Sequence, residues 1–336
     1  MKPDHMLKEV RVQDAIGLRL GHDLTRIVPG EFKGQAFRKG HIITEEDIPL
    51  LLDIGKEHIY ILDVPDGWLH EDDAAYRMAS AAAGENLQLT PPAEGKISLK
   101  STINGLAKID ASFVNTVNAI EHVVFSTILN NAVVQLGTAL AATRVVPLIV
   151  EERTIAEFER KAAEHKQKLG HHLVTVKPFR PLKAGVITTG SEVFNNRIED
   201  KFGPVLKDKL AAFGSEVIGQ RFSPDSTDTI VEHIRYFQQQ RADLILVTGG
   251  MSVDPDDRTP GAIKKAGADI VSYGNPMLPG SMLMMAYLGD TPILGLPGAV
   301  MHEKFTSFDV LLPRICAGER IERPDIVAMG YGGLLK

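Results

Sequence analysis

Behind the glycine pair Gly249-Gly250, the stretch DLILVTGGMSVDPDDRTPG (residues 243–261) carries three carboxylates, Asp254, Asp256 and Asp257, before Pro260 can open a helix. Glycines at such a turn let backbone N–H groups approach an anion closely. Carboxylates beside a phosphate repel it unless a hard cation stands between them, so Asp256 and Asp257 suit a Mg²⁺-bridged phosphate ester. The same residues also suit a plain acidic connection between a strand and a helix. Three further loops share this composition: TTGSE (188–192), SPDSTD (223–228), and the pair LPGS (278–281) and GLPG (295–298). Gly190, Gly280 and Gly298 repeat the backbone argument, Asp225 adds an acid, and Glu192 can accept hydrogen bonds from ligand N–H groups. If these loops converge, they make one site.

The elements that would bring them together are legible in the last third of the chain. Strands are expected at 184–188, 216–218, 244–247 and 269–273, with a hairpin of 282–287 and 291–296 turning at Gly289-Asp290. Helices are expected at 203–213, 227–238 and 260–266, and a final one at 300–316. This alternation predicts an α/β fold with a mostly parallel sheet covered by helices on both faces, whose ligands collect outside the strand carboxyl ends.

The preceding chain is less regular. Residues 1–65 read as a small β-rich domain, with Val10 and Val12 alternating, a turn at Pro29-Gly30, a short helix capped by Thr44, and a strand at 58–62. Residues 66–180 read as an α+β region: an Ala-rich helix at 72–84 ended by Gly84, a loop at 85–95, strands at 97–99 and 106–109, a helix at 112–125, a strand at 145–150, and a charged connecting helix at 154–169. Residues 181–336 complete the chain as the α/β domain. His22, His41 and His58 share no metal-ligand spacing, and Glu121-His122 has no nucleophile near it in sequence, so all are read as structural.

Composition narrows the partners. The 336 residues carry a formal net charge of −6, with an isoelectric point near 6.0. No broad cationic surface is available for phosphate backbones, so nucleic acid is not the expected partner. Cys316 is the only cysteine, which excludes an intramolecular disulfide and any cysteine-cluster metal site. No window approaches a membrane span and the amino terminus has no signal-peptide core, so a cytoplasmic protein with no membrane partner is expected.

Segment 182–318 resembles the molybdopterin-binding domain shared by molybdopterin adenylyltransferases and molybdenum insertases. TTGSE resembles the insertase pattern TGDE; GGMSVDPDDRTPGAI joins the insertase GGVSVG to the adenylyltransferase ending D-x-TP; GLPG matches GLPGNP. More weakly, AIGLRLGHDL resembles the insertase opening A-L-G-R-V-L-A, and FRKGHIITEEDIPLLLDIGKEHIYIL resembles the stretch that precedes the insertase's last domains. The resemblance implies a small-molecule pterin ligand, molybdopterin or its adenylylated or metallated form, with Mg²⁺ as a candidate ion. It also implies a homo-oligomer serving molybdoenzymes or other cofactor-synthesis proteins. By position, Asp225 and Asp257 match acids on which the family's chemistry depends, and Asp200 matches the aspartate of an insertase D-S-N segment. The implied ligand contacts are Thr189, Gly190, Ser191, Glu192, Asp200, Gly249, Gly250, Met251, Ser252, Thr259, Pro279, Gly280, Ser281, Pro297 and Gly298, with Asp256 and Asp257 as metal ligands. The chain departs from the insertases where they carry the two lysines of KPGKP, having Leu278 and Ser281. If an enzyme, it would be a nucleotidyl or molybdenum transferase. The alternatives are a Mg-dependent ADP-ribose pyrophosphatase of the competence-damage-inducible kind and a non-catalytic cofactor carrier or sensor.

Overall fold

The computed structural model describes residues 7–28, 32–62, 64–170, 172–252 and 257–335. Contacts divide the chain into two compact units: Met1–Ser101 with Ile109–Ile128 and Gly137–Thr175, and Thr102–Lys108 with Leu129–Leu136 and Val176–Lys336.

The second unit is built on a six-stranded mixed sheet. In spatial order its strands are Glu216–Ser223, Lys183–Thr189, Leu244–Thr248, Thr291–Leu296, Met284–Leu288 and Asp269–Tyr273. The first four run parallel, and the hairpin strand Met284–Leu288 is antiparallel to both its neighbours. Both faces are buried, which explains the near-continuous apolar runs. Val186, Leu244, Leu246 and Leu294 pack on one face with Leu206 and Leu210 of helix Phe202–Ala211 and with Phe308, Leu311 and Leu312 of helix Ser307–Cys316. Ile187, Ile245, Val247 and Ile293 pack on the other with Ile230, Ile234 and Phe237 of helix Thr227–Gln239 and with Ala262 and Ile263 of helix Thr259–Lys265. The chain leaves strand Lys183–Thr189 for the edge strand and then returns to strand Leu244–Thr248 on its far side. The order therefore reverses between those two strands, where ligands collect in folds of this kind.

The final helix is shorter than expected. It divides into Ala299–His302 and Ser307–Cys316, because Thr306 and Asp309 form a reciprocal capping box that starts a new helix. A further helix, Arg323–Ala328, carries a second box between Glu322 and Asp325.

The first unit holds short antiparallel sheets. Leu7–Arg11, His58–Leu62 and Arg19–Leu20 form one; Val123–Thr127, Ala139–Val145, Ile97–Ser101 and Leu87–Leu89 form another. Three expectations are corrected here. The helix expected at 112–125 stops at Asn118, whose side chain bonds both backbone groups of Phe125 and so turns the chain into a strand. The strand expected at 145–150 is two strands in different sheets, since Pro147 lies between Ala139–Val145 and Ile149–Glu151 and has no N–H to donate to a ladder. Gly84 does not cap its helix, which ends at Ala82; a Cβ at Gly84 would stand 2.4 Å from the His172 side chain, so the glycine serves close packing. Helix Glu152–Leu169 ends at Gly170 with φ 66°, as expected of a glycine stop. The Pro29-Gly30 turn lies outside the described residues, and no described helix is long and apolar enough to cross a membrane.

Candidate functional site

At the reversal point the strand ends Thr188-Thr189 and Thr248 are buried, and their loops turn outward around a cleft of about 580 Å³. Gly249 and Gly250 have φ of 84° and 56°, and a Cβ on Gly249 would stand 2.5 Å from the Thr189 carbonyl oxygen. The glycine pair therefore exists first to let two neighbouring loops pack backbone to backbone. Thr259, fully buried at the start of its helix, donates from Oγ1 to the Gly249 carbonyl at 2.7 Å and holds that turn. The Tyr273 hydroxyl donates to the carbonyls of Met251 and Ser252, both at 3.1 Å, fixing where the loop departs. Burial raises the Tyr273 phenol, and the nearby Asp257 charge raises it further, so the hydroxyl stays a donor.

On the neighbouring loop, the Ser191 N–H and Oγ both donate to Asp225 Oδ2, at 2.9 and 2.8 Å. This ties TTGSE to SPDSTD. Asp200 is also engaged: Oδ1 accepts from Phe202 N–H at 3.0 Å, and Oδ2 accepts from Gly203 N–H at 3.0 Å and from Gln220 Nε2 at 2.6 Å. Its carboxylate starts helix Phe202–Ala211, while Gln220 also reaches Thr188 Oγ1 at 2.8 Å.

Thr189, Gly190, Glu192, Asp200, Asp225, Gly249, Gly250 and Asp257 line this one cleft. Ser191, Met251, Ser252, Thr259, Pro279, Gly280, Ser281, Pro297 and Gly298 do not. Met251 is 4% exposed and its sulfur packs over Gly295, so its side chain belongs to the core. The LPGS loop is held elsewhere: Leu278 exchanges backbone hydrogen bonds with Gly333 and Leu335, and the Gly280 carbonyl accepts from Ser307 Oγ at 2.7 Å. Asp254 and Asp256 lie outside the described residues. The loop position of Asp257 predicts an exposed carboxylate; instead its Oδ2 is buried with no hydrogen-bond partner among the described residues. No group of three potential metal ligands occurs among the described residues.

Sequence reasoning missed the cleft's two basic side chains. Lys201 follows the capping Asp200, and His302 ends the short helix after GLPG. The signal for Lys201 was its place between a capping acid and a helix. His302 offered none, because the expected unbroken helix put no boundary there. A separate cavity of about 870 Å³ lies in the first unit, lined by Trp68, Glu121, His122, Leu148 and Lys161 among others. His122 takes φ 69° there, and its Nε2 stands 3.7 Å from Glu121.

Residues 9–63 match a family model described as a domain of unknown function (DUF8806), and residues 185–317 match one described as a probable molybdopterin binding domain. A CinA-like protein of Mycobacterium tuberculosis is 34% identical over 77 residues, 23% of this chain and 18% of the relative, so the match spans under a fifth of that protein's length. Among solved structures, the molybdopterin biosynthesis enzyme MoaB of Thermus thermophilus is similar at 24% identity and TM-score 0.34, over 41% of this chain and 98% of that one. The molybdopterin biosynthesis MoeA protein of Pyrococcus horikoshii is similar at 13% identity and TM-score 0.33, over 93% of this chain and 75% of that one. With the family model spanning the parallel sheet, the loops around the cleft and helix Ser307–Cys316, residues 185–317 form a domain of the molybdopterin-binding family of molybdenum cofactor biosynthesis.

Proposed function

We propose that the cleft binds a molybdopterin-type ligand, a pterin whose side chain ends in a phosphate, free or adenylylated. The observation that carries this reading is the meeting of Thr189, Gly190, Glu192, Asp225, Gly249-Gly250 and Asp257 on one cavity at the strand-order reversal of a domain of this family. Its volume of about 580 Å³ falls within the range of cofactor sites. Pterin rings present several N–H donors, and Glu192 and Asp257 supply acceptors for them. The buried Asp257 Oδ2 has no hydrogen-bond partner among the described residues, and such a donor or a cation would supply one. Mg²⁺, if held there, would take that oxygen as one ligand of a largely water-coordinated shell, with Asp256 as the next acid in sequence. When bound, the ion would neutralise the acids' own charge.

The reading is cofactor binding and handling rather than molybdenum insertion. Leu278 and Ser281 replace the insertase lysines, and neither residue lines the cleft. Titration with a fluorescent 6-substituted pterin phosphate tests the proposal: saturable quenching at one ligand per chain is expected, and no binding at high micromolar concentration would exclude it.

A second reading is the Mg-dependent pyrophosphatase acting on ADP-ribose that the resemblance to competence-damage-inducible proteins implies, with the Asp257 oxygen that lacks a partner among the described residues as its candidate ion ligand. There Asp256 and Asp257 would hold the ion. Release of AMP from ADP-ribose with Mg²⁺, lost in Asp257→Asn, would support it; absence of turnover removes it.

A further inference from the structure

The cleft has two banks that differ in the basic side chains they carry. One bank is made by the segments that start helices Thr227–Gln239 and Thr259–Lys265, which pack against each other on one face of the sheet. It presents Asp225 and Asp257. The opposite bank is made by the start of helix Phe202–Ala211 and by helix Ala299–His302, which pack against each other on the other face. It presents Lys201 and His302. Glu199 and Asp200 lie beside them: the Asp200 carboxylate is held by two backbone N–H groups and Gln220, and Glu199 is exposed. Neither Lys201 nor His302 has an ion pair or side-chain hydrogen bond among the described residues. The cleft's basic side chains among the described residues are thus uncommitted and come from the same face.

We infer that the cleft is polarised, and that a ligand's phosphate seats against Lys201 and His302 while its hydrogen-bond-donating ring faces Asp257 and Glu192. The inference rests on the pterin reading and fixes the ligand's orientation within it. A phosphate placed on the Asp225–Asp257 bank would meet two carboxylates, and Arg258, the cation next to them in sequence, does not line the cleft. On the other bank an ammonium and an imidazole can each donate to it, and charge-assisted hydrogen bonds of this type are the stronger ones.

The test compares two probes, a 6-substituted pterin with a terminal phosphate and the same pterin after the phosphate is removed, titrated by fluorescence against the wild-type chain, Lys201→Ala, His302→Ala and the double variant. The expected result is that wild type prefers the phosphorylated pterin, that each single variant weakens that form about tenfold, equivalent to about 1.4 kcal/mol, and that the double variant no longer discriminates. Affinity for the phosphate-free pterin should stay within about twofold throughout. Equal losses for both probes, or no loss for either, would overturn the orientation while leaving pterin binding intact. Wild type binding neither probe would overturn the pterin reading and the orientation with it. Both residues are exposed, so circular dichroism and melting should match wild type.

Discussion

The two ends of the parallel sheet treat charge in opposite ways. At the strand carboxyl ends, the cleft exposes Glu192, Lys201 and His302 and leaves Asp257 Oδ2 unpartnered among the described residues. Beyond helix Ser307–Cys316, Glu319 is almost fully buried and saturated: its carboxylate meets Lys108 at 2.7 Å, Lys177 at 3.0 Å and Arg314 at 2.8 Å, while Arg314 also bonds Asp325 at 2.7 Å. Burial alone would raise the Glu319 carboxyl, but the hydrogen bonds from Lys108 and Arg314 outweigh it and hold the group at about 2. A closed network like this fixes the fold and has nothing left to offer a ligand. An open set of charges adds little to stability and is available for binding.

The largest effect should come from breaking the closed end. Glu319→Gln leaves three cations competing for a neutral amide and should cost about 3 kcal/mol in urea unfolding, while pterin affinity stays at the wild-type level. A loss of affinity as large as the loss of stability would mean the two ends are not separable.

The pH dependence sharpens the same contrast. Because the folded Glu319 carboxyl lies below its ordinary value of 4.5, its stabilisation is complete above that pH and drains away as pH falls toward about 2. Acid titration of the melting temperature should therefore be steeper below pH 4.5 in wild type than in Glu319→Gln. Parallel curves would remove Glu319 as the source.

At the cleft, Gly249→Ala forces a side chain into a φ of 84° and against the Thr189 carbonyl, and should cost about 2 kcal/mol or more. Thr259→Val loses one buried hydrogen bond to Gly249 and should cost about 1 kcal/mol. Both should weaken ligand binding by letting the turn relax. Asp257→Asn removes the charge from a carboxylate whose Oδ2 is buried without a partner among the described residues, so it should leave stability unchanged or slightly raised, yet have the largest effect on any Mg²⁺-dependent binding or turnover. A large drop in melting temperature would instead make Asp257 part of the fold.

The same division explains what could be read in the sequence. Strands buried on both faces announce themselves as apolar runs, and Thr248-Gly249-Gly250 punctuates one of them, so the strands of the six-stranded sheet were legible, while their order came from the structure. The short antiparallel strands of the first unit were harder. Asn118 and Pro147 act there through particular side-chain and backbone bonds, and those bonds leave no periodic trace. In the cleft, glycines and acids drew attention because their types are chemically conspicuous. Lys201 and His302 look like ordinary surface residues until the fold sets their two helices side by side, and Met251 looked like a loop residue until the Gly295 packing placed it in the core.

Native mass spectrometry of the freshly purified chain, before and after addition of a pterin phosphate, tests the central claim most directly. The account predicts an adduct of pterin-phosphate mass at one per chain, weakened by Lys201→Ala and unaffected by Glu319→Gln. A chain that stays bare after the addition and releases AMP from ADP-ribose with Mg²⁺ would contradict it.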